Sequence, residues 1–289
     1  MNERIALGTV QFGLDYGINN HTGKPTTETI SKMLQLAFKM GIKTIDTAAS
    51  YGASEKNLGL TESIDSMQIV TKIPSIPDNC LNRKKWIENS FQESLKNLRV
   101  KSVYGLLLHD SQNLLKSDSV EIYDTLLEIR EAGLVKKIGV SIYTPNEFEY
   151  LISNFDLDLV QAPFNIIDRR LEDEGWLDVL YDLNIEVHTR SSFLQGLLLM
   201  ESNVRKKKFP QWLDLWEFWD SWLVDNSIKP LEACLSFSLK NQKVSKAVIG
   251  FDNINQLISL DNTKIDVGLE YPKQLESSDL NLINPVNWN

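Results

Sequence analysis

The sequence predicts an α/β fold, a closed (β/α)8 barrel of the TIM type, built as a single domain over residues 1–289. Three observations predict it. Eight short β-rich runs alternate with longer amphipathic runs, in units of roughly 30 residues each. Several of the β-rich runs, such as Leu106 to Leu108, are apolar without alternation, as in strands covered on both faces. An open doubly wound sheet would carry a Gly-rich turn after its first strand. Here Gly8, Gly13 and Gly17 lack the G-x-G-x-x-G spacing, and no P-loop occurs.

The elements follow in order. A first strand spans Ile5 to Val10. Ile30, Met33, Leu34, Leu36, Ala37 and Met40 then form the apolar stripe of a helix, ahead of a strand at Thr44-Ile45-Asp46. The third strand, Met67 to Lys72, precedes a helix over 83–98, and the fourth, Gly105 to His109, precedes one over 119–132. Lys137 to Ser141 is followed by a helix over 145–154, and Leu159 to Pro163 by one over 176–183. Ile185 to Thr189 is the seventh strand; residues 197–226 are an insertion between it and a helix over 229–240. Ala247 to Gly250 and a helix over 254–261 complete the set, and the tail over 265–289, weakly periodic, is expected to wrap the outside.

Thirty basic against thirty-nine acidic residues leave a net charge of −9, which disfavours nucleic acid as a partner. Two cysteines, Cys80 and Cys234, are too few for a disulfide framework, and with three histidines they match no metal-site spacing. Met1-Asn2-Glu3-Arg4 opens no signal-type leader, and the apolar stretch Phe193 to Met200 is too short to cross a bilayer. A soluble, cytoplasmic protein is expected, with a small molecule rather than a membrane as its partner. The glycosylation tripeptide Asn20-His21-Thr22 has no meaning without secretion, and His21 is read as an ordinary loop residue.

In such a barrel the site lies at the carboxyl ends of the strands. Asp46 ends the second strand, Lys72 the third and His109 the fourth, with Tyr51 on the loop after Asp46. Each interrupts an apolar run where an unpaired charge is costly, and Asp46 and Lys72 can offset each other as an ion pair. A tyrosine near its reference pKa of about 10 is a poor acid at neutral pH, and a neighbouring ammonium is expected to lower it. Phenol, ammonium, carboxylate and imidazole together make a proton donor facing a carbonyl oxygen. Hydride must come from a cofactor, because no side chain supplies it.

Gly8-Thr9-Val10-Gln11-Phe12-Gly13, Asp46-Thr47-Ala48-Ala49-Ser50-Tyr51-Gly52, Thr71-Lys72 and Leu108-His109 closely resemble the motifs of the aldo-keto reductase family, in order and spacing, over residues 5 to 260. The resemblance implies a barrel that binds an extended nicotinamide dinucleotide, NAD(P)H, and reduces an aldehyde or ketone. It casts Tyr51 as general acid and Asp46, Lys72 and His109 as its catalytic partners. It implies cofactor contacts from Gly8 and Thr9, from Ser141 and Gln161 at the nicotinamide amide, from Arg190, Ser191, Phe193 and Gln195, and from Gly250, Asp252, Asn253 and Gln256 at the adenosine end. Ile142 stands where the family usually has an asparagine. Arg190 stands where many members stack an aromatic ring on the nicotinamide. A guanidinium can stack as well, though its charge disfavours the oxidised ring, or it can meet an anionic substrate. NADP(H)-preferring members commonly place an arginine at the ribose phosphate, whereas this chain offers Asp252, Asn253 and Gln256, so NAD(H) use is expected. A sugar or sugar derivative is the expected substrate. The alternatives are an NAD-dependent sugar or polyol dehydrogenase working oxidatively, and a non-catalytic cofactor-binding scaffold subunit.

Within the insertion, Trp212, Trp216, Trp219 and Trp222 recur at helical spacing, either as a helix packed on the barrel or as a lid or interface. Arg205-Lys206-Lys207-Lys208 reads as a solvated loop or a phosphate contact, and Arg169 and Arg170 as local ion-pair partners beside Asp168.

Overall fold

The computed structural model describes residues 2–20, 22–62 and 64–288, so His21 lies outside the described residues. Its eight parallel strands close into a barrel in sequence order: β1 Ile5–Gly8, β2 Thr44–Asp46, β3 Gln68–Ile73, β4 Val103–Leu108, β5 Val135–Ser141, β6 Leu159–Pro163, β7 Glu186–Arg190 and β8 Lys246–Gly250. Closure pairs Gly8 with both Asp46 and Gly250. The helices are α1 Thr27–Lys39, α2 Ser54–Gly59, α3 Arg83–Leu98, α4 Ser119–Glu131, α5 Phe148–Asn154, α6 Arg170–Asp173, α7 Trp176–Asp182, α8 Ser202–Lys208, α9 Leu213–Asp225, α10 Pro230–Lys240, α11 Ile254–Asp261 and α12 Leu280–Ile283. None of them is long and apolar enough to cross a membrane.

Residues facing out from the strands pack against the inner stripes of the helices, with Ile30, Met33, Leu34 and Ala37 of α1 all fully buried. Thr26 caps α1 through the Thr29 amide, and Asn82 caps α3 through the Lys85 amide. Inside the barrel, Val70, Leu107 and Leu159 form a separate small apolar cluster. Toward the amino-terminal end of the strands, Glu186 accepts hydrogen bonds from Tyr104, Lys137 and His188, so the barrel histidine serves structure. The mouth at the other end is therefore the open one.

Four expectations change. The first strand stops at Gly8, because Thr9 turns its amide and hydroxyl onto the Asp46 carbonyl (3.0 and 2.9 Å) and the chain enters a 3-10 turn over Val10–Phe12. The basic run is no solvated loop: it lies in α8, where Arg205 is 1% exposed and paired with Asp220 of α9. Only Trp216, Trp219 and Trp222 lie in α9, all buried; α9 packs on α8 and on the tail turn Lys273–Leu275, while Trp212 precedes it and bonds to Asp279. Arg170 forms the expected pair with Asp168 (2.8 Å), but Arg169 instead donates to the carbonyls of Tyr271 and Pro272. That contact, the Ser277 amide on the Ile167 carbonyl and Trp288 edge-on to Phe209 at 5.0 Å bring the tail back toward the mouth.

Candidate active site

Asp46 closes β2, Lys72 lies one residue before the end of β3, and His109 follows β4, its amide bonded to the Ile73 carbonyl at 3.0 Å. The fully buried Lys72 ammonium donates to both Asp46 oxygens at 2.8 Å and to the Thr47 carbonyl at 2.9 Å. Gln161 of β6 donates to Asp46 Oδ1 at 2.7 Å. The carboxylate is thus held from two sides, as a buried ion pair requires. Lys72 Nζ lies 5.1 Å from the centre of the Tyr51 ring, and the His109 ring meets Tyr51 edge-on at 5.6 Å. Four side chains from three strand ends and one turn converge.

The turn that carries Tyr51 is set by close packing. A Cβ on Gly13 would lie 1.8 Å from the Tyr51 carbonyl oxygen and 2.4 Å from the Ser54 amide, so only glycine lets the two loops touch. Beneath them Ser54 donates to the Thr9 carbonyl at 2.9 Å and shares a 3.1 Å hydrogen bond with Thr47.

Burial governs the electrostatics. The Tyr51 hydroxyl is pushed above the ordinary tyrosine value by burial; Lys72 pulls it back without reversing the shift. The sequence-based expectation of a lowered pKa is corrected here, because the desolvation of the phenol outweighs the ammonium. Burial works against the Lys72 charge, but Asp46 and Tyr51 together more than offset it and the ammonium is held charged. His109 is lowered to about 3, first by burial and then by Lys72, so it is a neutral imidazole at physiological pH. Ser50 Oγ sits 2.8 Å from His109 Nδ1. With serine as donor there, Nε2 carries the ring hydrogen.

The tetrad opens into a cavity of about 590 Å³ that runs from Asp46, Tyr51 and His109 to Asp252, Gln256 and Ser259. Gly8, Thr9, Ser141, Gln161, Arg190, Ser191, Phe193, Gln195, Gly250, Asp252 and Gln256 all line it. Lys72 sits behind the wall, and the cavity does not reach Asn253, whose side chain caps α11 through the Gln256 amide at 3.1 Å. The wall also holds residues that the sequence did not single out: Tyr16 and Asn19 after β1, Tyr143 after β5, Leu231 of α10, and Asn284, Pro285 and Val286 of the tail. After β7, Ser191, Leu194 and Gln195 adopt left-handed backbone angles. This loop meets the loop after β1: the Ile18 amide donates to the Gln195 carbonyl at 3.1 Å, and Gly196 packs on Asn19. Because β8 lies between β7 and β1, the joined loops form an arch over the end of β8.

The residues present fit a nicotinamide dinucleotide. Ser141 and Gln161 line the cavity where a carboxamide would sit, and among the described residues the buried Gln11 Oε1 and Ser192 Oγ in the same wall have no hydrogen-bond partner. The Aldo/keto reductase family model matches residues 4–262, and the chain belongs to that family.

Among curated relatives, it is 28% identical over 204 residues to the oxidoreductase sirO of Leptosphaeria maculans, a match covering 68% of this chain and 61% of that protein. It is 23% identical over 270 residues to L-galactose dehydrogenase of Arabidopsis thaliana, covering 89% and 84%. The chain thus spans about three fifths of the length of the first of these. Among solved structures, the holo form of an aldo-keto reductase from Bacillus halodurans superposes with a TM-score of 0.71 at 18% identity, over 90% of this chain and 85% of that one, which establishes the shared fold.

Proposed function

We propose that this chain reduces an aldehyde or ketone by hydride transfer, with Tyr51 as the proton donor. The observation that carries the reading is the buried Lys72–Asp46 pair set behind Tyr51, beside a neutral His109, at the end of a long cavity. A bound nicotinamide supplies the hydride. Tyr51 gives its proton to the carbonyl oxygen, while His109 Nε2–H hydrogen-bonds that oxygen and orients it. Lys72 offsets the negative charge that develops on the phenol oxygen, and Asp46 keeps the ammonium in place. A phenol kept protonated by burial suits the reductive direction. The likeness to a sugar dehydrogenase and the polar wall of Tyr16, Asn19 and Tyr143 support a polyhydroxylated substrate.

Ser141 and Gln161 would hold the amide end of the cofactor, Gly8, Thr9, Ser191, Phe193 and Gln195 its middle, and Gly250, Asp252 and Gln256 its adenosine end. Arg190 is the one lysine or arginine among the described residues lining the cavity, and it sits at the catalytic end. At the other end Asp252 and Gln256 bond each other at 3.1 Å. A carboxylate there repels a ribose phosphate and accepts a bond from a free ribose hydroxyl. NAD(H) is therefore the preferred cofactor.

Oxidation of NADH and NADPH is followed with a panel of aldehydes and aldoses for the wild type and Tyr51→Phe. Loss of about 10²-fold or more in the variant is expected for a general acid, and equal rates would remove Tyr51 from the mechanism. Tryptophan quenching titrations measure the affinity of each cofactor, and a large preference for NADPH would refute the assignment at Asp252.

A further inference from the structure

We propose that Arg190 binds a carboxylate on the substrate, so that the chain acts on carbonyl compounds bearing an acid group, such as aldehydo and oxo acids of sugar size. This deepens the reductase reading and rests on it. Arg190 ends β7 and shares the cavity wall with Tyr51 and His109. Its guanidinium lies over the Tyr143 ring at 4.8 Å, donates from Nη2 to the Ile142 carbonyl at 2.9 Å and reaches Ser191 Oγ at 3.3 Å. Those contacts fix its plane but engage only two of its five N–H donors.

No carboxylate pairs with it among the described residues; Arg4 and Arg169, which also lack an acidic partner, spend their donors on backbone carbonyls away from the cavity. Asp46, the acid nearest the reacting end of the cavity, is already neutralised by Lys72. Arg190 lines the same cavity as Tyr51, His109 and Tyr16. An oriented fork of unused donors, with uncompensated charge beside the reacting hydroxyl, matches a planar carboxylate carried by the molecule whose carbonyl meets Tyr51. The neutral groups around it, Tyr16, Tyr143 and Asn19, suit hydroxyls rather than a second charge.

The test compares kcat/KM with NADH for matched pairs: D-glucuronate with D-glucose, succinic semialdehyde with butanal, and glyoxylate with glycolaldehyde. The wild type is expected to prefer the acid in at least one pair by about tenfold or more, the scale of a charged hydrogen bond. Arg190→Gln should erase that preference, mostly through KM, and Arg190→Lys should restore part of it. An unchanged acid-to-neutral ratio in Arg190→Gln overturns the proposal, as does a wild type that prefers no acid. NADH titration of the same variant separates the roles: weaker NADH binding with an unchanged ratio assigns Arg190 to the cofactor instead. Should no carbonyl in the panel be reduced, the reductase reading fails by itself. Calorimetry with D-glucuronate and succinate then decides the site: binding to the wild type that Arg190→Gln loses upholds it, and no binding overturns it.

Discussion

Replacing Gly13 by alanine should cripple the reaction without touching any group that performs it. The new Cβ would stand 1.8 Å from the Tyr51 carbonyl oxygen, against 3.4 Å for ordinary contact, so the two loops must part by 3.4 − 1.8 = 1.6 Å. The Ser54 and Ala53 amides, at 2.4 and 2.8 Å, block relief along the chain. The obstacles are backbone, so the strain cannot be relaxed by a side-chain rotation. Overpacking of this kind costs about 1–3 kcal/mol of stability, which a domain of this size tolerates. A displacement of about 1 Å at a reacting group costs on the order of 10²-fold in rate. We expect kcat to fall by about that factor while cofactor affinity, read by tryptophan quenching, changes little. Gly268→Ala, in the tail and 3.4 Å from its nearest neighbour, is the control. A folded Gly13→Ala protein with the kcat of the wild type would refute the claim that this contact places Tyr51.

Lys72→Met leaves the Asp46 carboxylate buried with Gln161 as its remaining side-chain donor, which should cost about 3–5 kcal/mol in denaturant titrations at pH 7. The double variant with Asp46→Asn should recover part of that loss; no recovery would mean that the pair is not energetically coupled. The folded-state pKa of His109, about 3, lies below its free value of 6.5, so its contribution is complete above pH 6.5 and is lost as pH falls toward 3. Between pH 7 and 5 the wild type should lose about 2 kcal/mol that His109→Gln keeps, and parallel stability–pH curves would contradict this. Trp216→Ala removes a fully buried indole from α9 and should cost about 3–5 kcal/mol, seen as a lower urea midpoint. A change under about 1 kcal/mol would show that Trp216 is not packed as a core residue.

The barrel was legible because its strands are covered on both faces and therefore write uninterrupted apolar runs, as in Leu106 to Leu108. The tetrad was legible for the converse reason: a polar residue ending such a run has to face something, and Asp46, Lys72 and His109 do so on three neighbouring strands. What was hidden depends on contacts distant in sequence. Asn284 to Val286 reach the cavity only because Arg169 and Trp288 fasten the tail more than a hundred residues from Arg169 and beside Phe209. Burial was equally unreadable. Arg205 sits in a basic run that looks solvated, yet its partner Asp220 is fifteen positions away on the next helix. The direction of the Tyr51 shift hung on how much water the fold removes from the phenol, which no local pattern records.

The span formed by Ile18 and Gln195 has a bearing on the timing of turnover. Among the described residues one backbone hydrogen bond, worth a net of about 0.5–1.5 kcal/mol, and the Gly196–Asn19 contact join the two loops, so parting them is a separate event. A long guest lying beneath both loops must wait for them to unlatch. Whatever lies beneath both loops would leave no faster than the span opens.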